Sequence, residues 1–133
     1  MGVFSVKMTI WNPARPSMSQ DIDAMVDTGA SYSWISRSRL EALGLQATRR
    51  VTFETIEGRR IERELAPVFV KFNGYTGGDT VVMAEPSDHE VWGALTLESL
   101  GLAPDPVKKA LVPAVGYALQ GGGNRSRRMR EDG

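Results

Sequence analysis

The chain has 133 residues, 41% hydrophobic and 24% charged, which suits one folded domain with a core of its own. Sixteen Lys+Arg balance sixteen Asp+Glu, so the chain as a whole lacks the basic surface of a nucleic-acid binder. Cysteine is absent and histidine occurs once, at His89, which excludes disulfides, thiol catalysis, Cys–zinc sites and multi-histidine metal cages within one chain.

No apolar run approaches the roughly 20 residues of a membrane span. The stretch MGVFSVKMTI has no charged segment leading into an apolar one, and Val6 stands where N-acylation needs Ser or Thr. The expectation is a cytoplasmic protein with no cofactor, no metal, no membrane contact and no nucleic-acid partner.

Phe4 to Ile10 alternates apolar and polar residues with period two, as a half-buried strand does. Asn12 to Ser17, with Pro13 and Pro16, reads as a turn, and Asp21 to Val26 as the partner strand. Ser36 to Gly44 reads as a helix, with Ser36 as its cap and Gly44 in a left-handed end. Val51–Ile56 and Arg60–Leu65 form a hairpin around Glu57-Gly58-Arg59.

Pro67–Phe72 and Thr80–Ala84 form a further pair across the glycine-rich stretch 73–78. A short helix is expected at Leu95–Leu100, and one or two last strands within Leu111–Leu119. The sum is a compact, mostly antiparallel β domain over 1–120. Residues 121–133 stand apart as a disordered Gly/Arg-rich tail: four arginines face two acids, Met129 is the one apolar side chain, and removing the tail leaves 1–120 at a net −2. Gly121-Gly-Gly123 lacks the Lys-Ser/Thr of a phosphate loop, and the sequon at Asn124 is discounted for want of a secretion signal.

Leu40-Glu-Ala-Leu-Gly-Leu45 recurs as Leu97-Glu-Ser-Leu-Gly-Leu102, 57 positions on. Each copy follows an apolar residue and a nearby glycine, Val26 and Gly29 before the first, Val91 and Gly93 before the second. A duplicated supersecondary unit explains the match better than chance.

Asp27-Thr28-Gly29 lies directly after an apolar strand, where a carboxylate can be presented to a cleft. The bare tripeptide is also a plausible turn. Its context, Val26-Asp-Thr-Gly-Ala-Ser31, then a helix ending Leu-Gly-Leu, a hairpin and Val91-Trp92-Gly93, resembles the retropepsin-like aspartic proteases, in particular their small cellular or prokaryotic-type members. The resemblance covers roughly residues 4–119.

That resemblance implies a closed β barrel of short antiparallel strands with two short helices, acting as a homodimer on a peptide or protein substrate. Asp27 would be catalytic, with Thr28 interlocking the two copies and Gly29 bringing the backbone close to substrate. Ala30, Ser31 and Trp34 would line the cleft. Ile56, Glu57 and Gly58 would form the tip of a flap. Val91 would face a side-chain pocket, and Trp92 and Gly93 would pack beneath the catalytic loop. His89 joins the substrate-binding set by position, although an exposed loop histidine is the simpler reading. Trp11, Trp34 and Trp92 are also ordinary packing residues.

The chemistry can be reasoned separately. Without metal, Cys or a Ser-His pair, peptide hydrolysis is best served by two carboxylates sharing a proton, and the chain has one Asp-Thr-Gly. The second must come from another copy. Ser31 and Ala94 stand where viral relatives have an acid and an arginine, and the charged Asp88-His89-Glu90 stands where relatives have apolar pocket residues. The charge suggests a preference other than large apolar side chains. The alternative function is a retropepsin-like dimerisation or peptide-binding module with weak or no catalysis.

Overall fold

A computed structural model describes residues 4–116, 118 and 119. The chain runs β1 (Ser5–Asn12), β2 (Arg15–Val26), β3 (Trp34–Ser36), α1 (Arg37–Ala42), β4 (Arg49–Glu54), β5 (Arg60–Phe72), β6 (Tyr75–Ala84), β7 (Val91–Trp92), α2 (Ala94–Leu100), β8 (Leu102–Asp105) and β9 (Ala110–Pro113). Strands dominate and two short helices accompany them, as the alternation of residue types implies. The tail at 121–133 lies outside the described residues.

Seven strands form one sheet in the order β1-β2-β7-β3-β6-β5-β4, and β1 also pairs with β5 over Thr9–Trp11. The hairpins β1–β2, β4–β5 and β5–β6 are antiparallel, but β2–β7 and β3–β6 are parallel. The parallel pairs follow from one excursion of the chain. Strand β7 lies between β2 and β3, with Val91 opposite Met25 on one side and Trp34 on the other. The segment 27–33 therefore passes over the end of β7.

The core gathers Met8, Ile10, Ile22, Ile35, Leu40, Val68, Val70, Val81, Met83 and Trp92. Those from β1, β2, β5 and β6 are alternate residues of their strands, so burial of one sheet face sets the register, and Ile35 of β3, Leu40 of α1 and Trp92 of β7 complete the cluster. Leu65 and Val82, paired in register, are also fully buried but lie outside this cluster, so the sheet is covered on both faces there.

Several boundaries differ from the sequence reading, each for a physical reason. Strand β2 begins at Arg15 and absorbs Pro16, because the ladder shifts register between Trp11 and Asn12 and a proline is tolerated at such an irregularity. Strand β5 runs unbroken through Pro67, where two strands were expected. Strand β6 starts at Tyr75, so the turn is Asn73-Gly74 alone, with Asn73 at φ 52°.

Gly77 and Gly78 thus serve packing and not turning. A Cβ on Gly77 would lie 2.5 Å from Ser99 Oγ of α2, so the missing side chain is what lets α2 seat on β6. The last hairpin is β8–β9, where strands within 111–119 were expected. Asp105 Oδ1 accepts the N–H groups of Val107 and Lys108, at 3.0 and 3.1 Å, and turns the chain there.

Ser36 occupies the cap position of α1, yet its hydroxyl meets Ser38 Oγ and caps no backbone N–H. The two Leu-rich hexapeptides do adopt one local structure. Gly44 and Gly101 end their helices at φ 77° and 71°, and all three leucines of each copy are buried.

Candidate active site

Asp27 is the first residue past β2, and its side chain is exposed. Its N–H donates to the carbonyl of Trp92 at 3.0 Å, continuing the β2–β7 pairing by one step. Its carbonyl accepts the N–H of Ala30 at 3.1 Å, and its Oδ1 accepts the N–H of Gly29 at 2.9 Å. The carboxylate is thus held by its own loop while one face stays open to solvent. A Cβ on Gly29 would sit 3.1 Å from that same Oδ1, so glycine keeps the carboxylate from being crowded.

The loop rests on the start of α2. Ala94 N–H donates to Ala30 O at 2.8 Å, Leu95 N–H to Ser31 O at 2.9 Å, and Gly93 N–H to Ser33 Oγ at 2.8 Å. Gly93 is buried, and a Cβ there would lie 2.8 Å from Ala30 O and closer still to Tyr32 O. The loop and the second glycine motif meet backbone to backbone, and no side chain fits between them.

Beneath this contact runs a polar line that the sequence reading missed. Ser33 Oγ meets Thr96 Oγ1, both residues being 0% exposed, and Thr96 Oγ1 donates to Asp79 Oδ2. Thr80 N–H donates to Asp79 Oδ1 at 2.8 Å. Burial pushes the Asp79 carboxyl above the usual carboxylate value, against the opposing pull of the hydrogen bonds from Thr96 and Thr80. The available signals were a Thr set among the leucines of α2 and an Asp following two glycines.

A sequence model of a family described as "Aspartyl protease" matches residues 14–99, a stretch that takes in both Asp27 and Gly93. The chain belongs to the aspartyl protease family. Among solved structures, the protease of Simian Foamy Virus (mac) is similar at 16% identity and TM-score 0.51, covering 71% of this chain and 92% of that one. That likeness shows the retropepsin-like fold: mostly β with two helices. A retropepsin-like aspartic protease from Rickettsia conorii aligns at 24% identity and TM-score 0.41, covering 84% of this chain and 98% of that one. No curated protein matches.

In this aspartyl protease family member, Trp34 is half-buried against Phe53 of β4, with ring centroids 5.0 Å apart, and Tyr32 meets the same ring edge-on at 6.0 Å. The β4–β5 hairpin is thereby anchored to the Asp27 loop through Phe53. Its tip turns at Thr55–Arg59, with Gly58 at φ 84°, and Ile56 is fully exposed there beside the exposed Glu57. Thr28 and Ser31 are exposed and Ala30 is half-buried, while the carbonyls of Ala30 and Ser31 already accept from α2. Trp92 is fully buried, its Nε1–H donating to Val6 O at 3.0 Å. Val91 is half-buried between Met25 and Trp34.

His89 is exposed, but its neighbours are committed elsewhere. Asp88 takes a two-pronged contact from Arg63 of β5, at 2.7 and 3.0 Å, and the N–H of Glu85 at 2.8 Å. Glu90 accepts the N–H of Ser36 at 2.8 Å. The charge of this loop ties it to β5 and to the end of β3. Among the described residues no group of three or more His, Cys, Asp or Glu is placed to hold a metal ion, and no helix is long and apolar enough to cross a membrane.

Proposed function

We propose that this protein is an aspartic endopeptidase whose catalytic pair is Asp27 and its symmetry mate in a homodimer. The observation that carries the reading is an exposed carboxylate at the strand end of an aspartyl protease family chain, held by the Gly29 amide and backed by the second glycine motif. Each chain has one Asp-Thr-Gly, so the two-carboxylate chemistry needs a second copy.

Two carboxylates within hydrogen-bonding distance hold one proton between them. The ionised partner takes a proton from water as that water attacks the peptide carbonyl, and the protonated partner gives its proton to the carbonyl oxygen. Collapse of the tetrahedral intermediate then transfers a proton to the leaving amine. Thr28 interlocks the two loops across the two-fold. The β4–β5 hairpin acts as a flap whose tip, Ile56-Glu57-Gly58, covers an extended peptide; the full exposure of Ile56 supports this, since an apolar tip gains by closing on a ligand. Ala30, Ser31, Trp34 and Val91 border the peptide, with His89 at its margin.

The test is hydrolysis of a peptide library between about pH 4 and 7, the window of a carboxylate pair. Asp27→Asn keeps an oxygen for Gly29 N–H, so the fold should survive while turnover falls by at least about 10²-fold. Specific activity should also fall on dilution below the dimer Kd. Unchanged turnover in the Asn variant, or no hydrolysis by a dimeric wild type, overturns the proposal, the latter in favour of a peptide-binding module.

A further inference from the structure

We propose that Asp79 is a positioning residue for the Asp27 loop, acting through Thr96 and Ser33 on the amide of Gly93. The inference rests on the peptidase reading for its catalytic consequence, but its structural content stands apart from it. It follows from counting hydrogens along the buried line.

Ser33 and Thr96 each own one hydroxyl hydrogen. Gly93 N–H donates to Ser33 Oγ at 2.8 Å. Thr96 Oγ1–H is directed to Asp79 Oδ2, so the Ser33–Thr96 contact is made with the Ser33 hydrogen. Thr80 N–H supplies the other carboxylate oxygen at 2.8 Å. Every donor therefore points the same way, from Gly93 to Asp79, and the line ends on a group that only accepts. In a region where Ser33 and Thr96 are wholly buried, no water replaces a lost partner cheaply.

The count closes with a side chain that accepts on both of its oxygens, as Asp79 does. The isosteric amide of Asn has one oxygen and one NH2. If the NH2 faces Thr80, donor meets donor. If it faces Thr96, the Thr96 hydrogen must turn to Ser33 Oγ, which already receives Gly93, and the Ser33 hydrogen is left buried without an acceptor. Either way the far end of the line loosens, at the glycine on which the catalytic loop rests. A misplacement of about 1 Å at a catalytic group can cost about 10²-fold in rate, and an effect confined to the transition state lowers kcat while leaving KM nearly unchanged.

The experiment compares the full-length wild type with Asp79→Asn, Thr96→Val and the double variant, by peptide hydrolysis and by amide hydrogen exchange. Thermal stability is a poor readout here, because Asn also relieves the burial of a charge. Expected are a kcat lowered about 10- to 100-fold with KM changed less than about 3-fold, and a Gly93 amide exchanging about 10-fold faster relative to amides of the β1–β2 ladder. The double variant should lose no more than the worse single one, since both cut the same line. Gly93 exchange at the wild-type rate in both single variants overturns the proposal, as does an unchanged kcat in an active enzyme. If the wild type hydrolyses nothing, the peptidase reading fails instead, and the exchange measurement still decides the role of Asp79.

Discussion

Replacing Gly93 with alanine tests the claim that the Asp27 loop and the second glycine motif are in direct backbone contact. The added Cβ would lie 2.8 Å from Ala30 O, with Tyr32 O nearer, and real Cβ contacts essentially never fall under 3.0 Å. Both obstacles are backbone, so no rotamer change relieves them. The loop must retreat by several tenths of an ångström, stretching Gly93 N–H to Ser33 Oγ and Ala94 N–H to Ala30 O, both now 2.8 Å. Overpacking costs about 1–3 kcal/mol and each weakened hydrogen bond about 0.5–1.5, so a loss of about 2–6 kcal/mol is expected. At about 4 °C per kcal/mol for a domain of this size, Tm should fall by roughly 8–24 °C.

Urea unfolding followed by tryptophan fluorescence measures the loss directly. Gly78→Ala is the control: it lies in the same sheet, but its Cβ would meet only the Phe69 ring at 3.5 Å, an ordinary contact. It should stay within about 0.5 kcal/mol of wild type. A Gly93→Ala protein as stable as Gly78→Ala would refute the close-approach argument, and with it the account of how the loop is held.

Three further outcomes follow from the same structure. The Arg63 guanidinium holds the Asp88 carboxyl below the usual carboxylate value, so this pair's stabilisation is present above the unfolded-state pKa and is lost as pH falls through the depressed folded one. Stability measured by urea midpoint should drop below about pH 4, and Arg63→Met should remove part of that slope while costing about 1–3 kcal/mol at neutral pH. Asp79 contributes with the opposite sign: its raised pKa means that folding favours its protonated form, so its share of stability increases as pH falls through the folded value. Trp92→Phe removes the indole donor to Val6 O and part of a wholly buried ring, for an expected loss of about 2–3 kcal/mol in the same assay; no change would place Trp92 outside the structural core.

Local chemistry carried much of this protein in plain view. Period-two alternation marked the strands, Gly44 marked the left-handed end of the first helix, and Asp27-Thr28-Gly29 with Val91-Trp92-Gly93 carried the resemblance to the family. These are short-range properties, set by neighbouring side chains and by φ, and they survive without knowledge of what lies opposite. Strand lengths did not survive so well. Pro16, Pro67 and the pair Gly77-Gly78 read as breaks, but each is accommodated by its place in the sheet: a register shift at the end of β1, continued pairing of β5 with β6, and the seat of α2 on β6.

What the tertiary structure alone decided is which polar groups meet across long sequence separations. Asp79 of β6, Thr96 of α2 and Ser33 in the loop before β3 look unremarkable where they stand, yet they end as one buried line beneath the Asp27 loop. Asp88 and Glu90 depend on the fold in the same way, since nothing in Asp88-His89-Glu90 announces that Arg63 pairs with the first and the Ser36 amide donates to the last. A side chain's type states what it can donate or accept. Only the folded chain settles who stands at the other end, because that partner is brought there by the packing of the whole sheet.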